Sequence, residues 1–229
     1  MSDTDRKVAV STKSSGSATK ERLLDAAERL FAARGFDGTS LREVTAEAGA
    51  NVAAIHYHFG SKEELLRAVL SRIVAPVNSQ RLRLLELAEV DAAPGAPTVE
   101  AILEAFLAPD LQVIRDLGER GVVVTRFMGR SYTEPSDLVR RMVGEQFGEL
   151  GQRFHRALCR AIPDVPPEEV YWRLMAVVAV ITYMLAAPGD NGSGSLLDPN
   201  HFEGTLRRLV AFLAPGLRAP PSRSVPLSP

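Results

Sequence analysis

Cysteine, tryptophan and net charge are all scarce in this chain of 229 residues. Cys159 is the one cysteine, which excludes an intrachain disulfide. Its helical, apolar setting predicts a buried, inert thiol rather than a redox sensor. Formal net charge is −1, so no overall basic field attracts nucleic acid. Residues 1–75 hold 11 Lys/Arg and 10 Asp/Glu, so any phosphate contact there must come from local placement of charge. Long apolar runs are missing too. The longest, Leu174 to Ala187, has 14 residues with Arg173 beside it, too short to span a bilayer. The chain is polar through Thr19 and has no apolar signal core, so a cytoplasmic location is expected.

What is present is helical periodicity. Leu23, Ala27, Leu30 and Phe31 form one apolar face, and Gly35 ends that helix. Ser40-Leu-Arg-Glu43 is a capping box for the next. The most informative stretch runs from Gly49 to Lys62. Gly49 ends one short helix, Asn51 caps a second that stops near Gly60, and Ser61 caps a third. Two short helices joined by a tight turn have the layout of a DNA-reading helix-turn-helix.

The predicted helices span about 19–34, 41–48, 52–58, 62–89, 98–108, 110–130, 136–161, 167–187 and 199–214. Pro76 should bend or interrupt the fourth, and Pro109 should separate the fifth from the sixth. Gly121-Val-Val-Val-Thr125 is β-branched but continuous with helical neighbours. Residues 1–17 read as a disordered arm, Asn191 to Ser195 as a flexible loop, and 215–229 as a disordered tail. The fold class is all-α, a three-helix head on a larger helical bundle, about nine helices in total.

The pattern Ala26-Ala27, Leu30-Phe31, Gly35-Phe36, Thr39-Ser40, Val44, Ala48-Gly49, His58-Phe59, Lys62-Glu63 and Leu65-Leu66 resembles the head of the tetracycline-repressor (TetR) family of transcriptional regulators. The resemblance covers roughly residues 20–66. It implies a homodimer of helical subunits whose heads bind a palindromic operator and whose C-terminal bundles receive an inducer. The implied division is a helix-turn-helix domain over 18–66 and a ligand-binding and dimerisation domain over 67–214. The stretch from Asn51 to Lys62 is also similar to a branch that includes a fatty-acid-responsive regulator of Pseudomonas. That branch has asparagine where His56 stands, and many other members have tyrosine there.

In the head, Asn51 caps the reading helix, and Val52, Ala53 and Ala54 are slim enough to approach the groove floor. His56 and Tyr57 are its polar handles, while His58 and Phe59 close the head's core. Thr39, Ser40 and Arg42 face the other wall of the groove, and the family likeness puts Lys62 on a backbone phosphate. In the body, pocket candidates are Phe106, Ile114, Arg126, Phe127, Arg130, Phe147, Phe154, His155 and Met175, with Leu111, Met128 and Gln146 beside them. Each apolar member reads equally well as ordinary core. The eighth helix is apolar nearly all round and needs a partner to cover it. Val178, Ile181, Leu185, Phe202, Leu206, Leu209 and Leu213 are the interface candidates. His56 and His58 stand two apart on a helix, which points their rings away from each other and disfavours a joint metal site. No nucleophile elbow, catalytic residue, metal or cofactor is called for. The expected function is a ligand-responsive regulator, most simply a repressor. Its partners are double-stranded operator DNA, a second copy of itself and a small apolar or amphipathic inducer, with no membrane. The alternatives are a helical protein-interaction module or an enzyme that reuses the head.

Overall fold

A computed structural model describes residues 3–133, 136–186 and 202–221 of the protein. The described residues form nine helices: α1 (Asp3–Arg34), α2 (Leu41–Ala48), α3 (Val52–His58), α4 (Lys62–Asp91), α5 (Val99–Asp116), α6 (Glu119–Thr133), α7 (Asp137–Ala161), α8 (Pro167–Ala186) and α9 (Phe202–Arg218). The all-α head-and-bundle class is what the sequence led us to expect. The loop predicted at Asn191 to Ser195 lies outside the described residues.

Local chemistry sets the short helices. Ser40 Oγ accepts from the Glu43 amide, and the Glu43 carboxylate accepts from the Ser40 amide at 2.8 Å. Gly49 closes α2 at φ 59°, a left-handed conformation that glycine adopts without penalty. Asn51 Oδ1 then accepts from the Ala54 amide at 2.9 Å, and Ser61 Oγ from the Glu64 amide at 3.1 Å.

Four boundaries differ from expectation. α1 starts at Asp3, so the arm expected to be disordered is helical; Gly16 is the only glycine and there is no proline between Asp3 and Arg34 to stop it. α4 runs unbroken through Pro76. α5 runs through Pro109, and the break to α6 falls instead at Gly118, which takes φ 53°. α9 continues past Pro215 to Arg218, because Leu217 is buried and its turn is anchored: Arg173 donates to the Leu217 carbonyl at 2.8 Å.

Two apolar clusters fill the molecule. One belongs to the body and joins Leu85, Phe106, Phe154, Leu158, Leu174, Ile181, Leu209 and Leu213. The other is the head's core, and it does not stop at residue 66. It follows α4 to Val74 and takes in Val124, Phe127 and Met128 of α6 and Val139, Met142 and Val143 of α7. The cause is that α1 packs on α6 as well as on α2 and α4.

That packing carries a buried carboxylate. Glu28 of α1 is 2% exposed. It accepts from Arg120 Nε at 2.9 Å and Nη2 at 2.8 Å, and it pairs with Arg72 of α4. Burial pushes the Glu28 carboxyl up, but the hydrogen bonds from Arg120 and Arg72 outweigh it and hold the group below its ordinary 4.5. A carboxylate held low stabilises the fold above that ordinary value, and the contribution is lost as pH falls through the lowered one. Glu28→Gln should therefore cost roughly 3 kcal/mol at neutral pH, because it leaves two guanidinium groups short of their partner. The difference between variant and wild type in thermal unfolding should shrink as pH drops below 4.5. A constant difference across that range would show that the ion cluster does not hold head to body.

Candidate nucleic-acid interface and cavity

The outer face of the head is built by α2, α3 and the start of α4. Ser40, Arg42, Asn51, Ala53 and His56 are exposed on it, and Val52 is half-buried. Tyr57 is 84% exposed, which leaves its ring free of the core. His58 and Phe59 are half-buried, with His58 edge-on to both aromatic neighbours. Lys62 places its ammonium 4.2 Å from the centre of the Phe36 ring, which fixes a positive charge at the start of α4.

One of these residues differs from its expected role. Thr39 is 2% exposed and its hydroxyl donates to the Gly35 carbonyl at 2.8 Å. It locks the end of α1 and offers no side chain to a phosphate. His56 Nδ1 lies 2.9 Å from the Gly60 carbonyl oxygen. A carbonyl only accepts, so Nδ1 carries the proton; when the ring is neutral, Nε2 is then an acceptor. An acceptor suits the amino group of adenine or cytosine and does not suit a phosphate.

The body holds a partly open cavity of about 630 Å³ between α4, α5, α6, α7 and α8. Phe106, Phe147, His155 and Met175 line it, as does Met128. The other pocket candidates do not. Phe154 is fully buried behind Phe106, with ring centres 5.1 Å apart, and Phe127 sits in the head's core. Leu111 packs in the body core, and the Gln146 backbone carbonyl accepts from Asn78 Nδ2 at 2.7 Å. Arg126 is exposed away from the wall, and Arg130 donates to the Ala33 carbonyl at 3.3 Å. The Ile114 side chain lies outside the described residues.

Four of the interface candidates, Val178, Ile181, Leu209 and Leu213, face the subunit's own interior. Val178 and Ile181 line the cavity. Leu209 and Leu213 are buried in the body core, and Phe202 and Leu206 pack partly buried against it. The side chain of Leu185 lies outside the described residues. A helix apolar on every side gives no periodicity from which to choose its inner face. The outward face instead carries Trp172, Ala176, Ala179 and Tyr183 on α8, with Phe212 on α9. Trp172, Tyr183 and Phe212 are 67%, 71% and 73% exposed.

Sequence reading also missed the polar part of the cavity wall. Arg81, Asp110, Ser131 and Tyr132 face it. Arg81 had a signal: it continues the buried phase of Val74, Val77 and Leu85 on α4. Cys159, expected to be buried, is partly buried, and burial pushes its thiol up. Among the described residues no group of three or more His, Cys, Asp or Glu could hold a metal, and no helix is long and apolar enough to cross a membrane.

Residues 23–69 match the family described as bacterial regulatory proteins, tetR family, and residues 104–216 match its tetracyclin repressor-like C-terminal domain. The chain belongs to the TetR family. It is 34% identical over 122 residues to the transcriptional dual regulator CecR of Shigella flexneri, spanning 53% of this chain and 54% of that one. It is 37% identical over 76 residues to the transcriptional repressor NicS of Pseudomonas putida, spanning 33% and 36%. The match thus spans about half the length of the first relative and about a third of the second. Among solved structures, the SmeT–triclosan complex is similar with TM-score 0.60 and 24% identity, over 93% of this chain and all of that one. PfmR of Thermus thermophilus gives TM-score 0.57 at 19% identity, over 89% and 97%. Both likenesses show the TetR fold along nearly the whole chain.

Three glycines of α7, Gly144, Gly148 and Gly151, lie on the cavity wall, and a Cβ at any of them would meet nothing within 4 Å. Their missing side chains are part of the empty volume. Gly148→Leu should therefore raise the melting temperature by about 2–4 °C, since glycine inside a helix costs roughly 1 kcal/mol relative to a good helix former. A lower melting temperature would show that α7 needs close approach there.

Proposed function

We propose that this chain is a ligand-responsive transcriptional repressor that works in the cytoplasm. It binds a palindromic operator as a homodimer and is released by a small apolar or amphipathic molecule held in the cavity. One observation carries the coupling. Ile73, Val74, Val124, Met128 and Val143 belong to the head's core and also line the cavity. A ligand that presses on this wall presses on the packing that orients the head.

In this reading α3 enters the major groove. Ala53 and Val52 approach bases, His56 reads a base amino group, and Tyr57, Arg42, Ser40, Lys62 and the amides beside Asn51 hold the backbone. Two heads must then sit about 34–36 Å apart to meet successive major-groove faces. The likeness of the reading helix to the fatty-acid-responsive branch does not bear on the cavity, because that helix faces DNA. Repression is the simplest output, since occupancy of a promoter suffices. CecR is named a dual regulator and NicS a repressor.

The reading is tested on the purified full-length chain. A duplex selected from a random pool should be retained, and a compound from a panel of fatty acids, acyl thioesters and aromatics should weaken that retention. By linkage the same compound must bind free protein more tightly than the complex by the same factor, with a coupling of about 1–3 kcal/mol. A compound that fills the cavity while leaving operator affinity unchanged would remove the sensor half of the proposal. Failure to retain any duplex would remove the other half.

The dimer is assigned to the exposed aromatic face of α8 and α9. Phe212→Glu or Tyr183→Glu should give a folded monomer by sedimentation, since each places a carboxylate in the apolar contact without disturbing the subunit core. A dimer of wild-type strength in both variants would move the interface elsewhere.

A further inference from the structure

The cavity wall is not uniformly greasy, and its polar part has an unusual electrical balance. Arg81 is 4% exposed. Its Nε donates to the Phe106 carbonyl at 2.8 Å, Nη1 to Asn78 Oδ1 at 3.0 Å, and Nη2 pairs with Asp110. Its guanidinium lies 4.4 Å from the centre of the Phe106 ring and 5.9 Å from that of Phe147. The Asp110 side chain is 15% exposed; burial pushes its carboxyl up while the paired Arg81 guanidinium pulls the other way, and the two groups share one largely dehydrated corner. Tyr132 stands beside it with its ring 6.2 Å from that of Phe147. Its hydroxyl makes no hydrogen bond among the described residues. The other basic groups on the wall lie away from this corner's dehydrated pair and have partners of their own. Arg140 is solvent-exposed and pairs with Asp137, and His155 Nε2 lies 2.8 Å from the Pro167 carbonyl oxygen.

Such a corner is matched within itself. An incoming anion would gain from Arg81 and lose against Asp110; an incoming cation would meet the reverse. Neither recovers the water it gives up, and dehydration of an uncompensated charge is costly. A neutral group faces no such cost. It can accept from the Tyr132 hydroxyl and donate to the carboxylate oxygen that Arg81 leaves free. Burial pushes the Tyr132 phenol well above its ordinary value and the nearby Asp110 charge adds to this, so the hydroxyl stays a donor at neutral pH. Beyond the corner, Val113, Val178 and Ile181 supply apolar wall, and Gly148 leaves room beside them.

Resting on the reading of the cavity as a ligand site, we infer that it selects an uncharged, mainly apolar molecule with one hydroxyl-like group, seated against Arg81, Asp110 and Tyr132. A fatty acid carboxylate is then a poor occupant.

The test uses the full-length protein and a matched series of probes at neutral pH: 4-hexylphenol, 4-hexylbenzoate, 4-hexylbenzylammonium and hexylbenzene, each titrated by calorimetry. The phenol should bind at least about 10-fold more tightly than either ion. Asp110→Asn leaves the Arg81 charge unmatched and should invert the order in favour of the benzoate. Tyr132→Phe keeps the ring and should weaken the phenol several-fold while leaving hexylbenzene unchanged; it serves as the second variant should Asp110→Asn fail to fold. Wild-type preference for the benzoate or the ammonium would overturn the inference and leave the cavity a ligand site. Equal effects of Tyr132→Phe on phenol and hexylbenzene would also overturn it. Binding by none of the four would overturn both it and the ligand-site reading.

Discussion

The buried carboxylate of Glu28 is the point on which the arrangement of head and body turns. It sits on α1, inside the head, and it is held by cations from two other helices, Arg72 of α4 and Arg120 of α6. Asp25 adds a second contact to Arg72 at 2.8 Å. A buried charge without partners would be intolerable, so the three helices are constrained to one another as long as the carboxylate is ionised. Apolar packing between α1 and α6 is non-directional and would tolerate sliding. The ion cluster is directional, and it fixes the register in which Val124, Phe127 and Met128 meet the head.

The head was legible from the sequence because its signals are local. The capping box at Ser40 and Glu43, the left-handed glycine at 49 and the caps at Asn51 and Ser61 each act within four residues, so spacing alone reveals them. Thr39 escaped because its bond to the Gly35 carbonyl is equally local but its burial comes from the folded head, which spacing does not show. The helix boundaries at Pro109 and Pro215 were misplaced for a different reason. Local propensity disfavours proline in a helix, but tertiary burial of Leu111 and Leu217 on the far side holds each helix together.

The body was legible as helices and not as surfaces. α8 offers apolar residues in every direction, and nothing in its order separates Ile181, which lines the cavity, from Tyr183, which faces out. Size and polarity at the edge decide it after folding: the broad, amphipathic rings of Trp172 and Tyr183 stay outside, and the aliphatic side chains go in. The Arg81–Asp110 pair was invisible for the same cause, since 29 residues separate its members and only the packing of α4 on α5 joins them.

These features together give the fold a mechanical asymmetry. The reading helix itself is short and is held by its caps, so it moves as part of the head. The head in turn is tied to α4 and α6 by Glu28, and those two helices form one wall of the cavity through Ile73, Val74, Val124 and Met128. The cavity is also lined by α7, whose Gly144, Gly148 and Gly151 present no side chains to resist an occupant. A molecule entering the cavity therefore meets little resistance from α7 and firm packing from α4 and α6. Strain passes towards the stiffer wall because close-packed side chains shift as a body and do not compress. In the proposed reading, a displacement of that wall reaches α1 through the ion cluster, and the two heads of a dimer change their spacing with it.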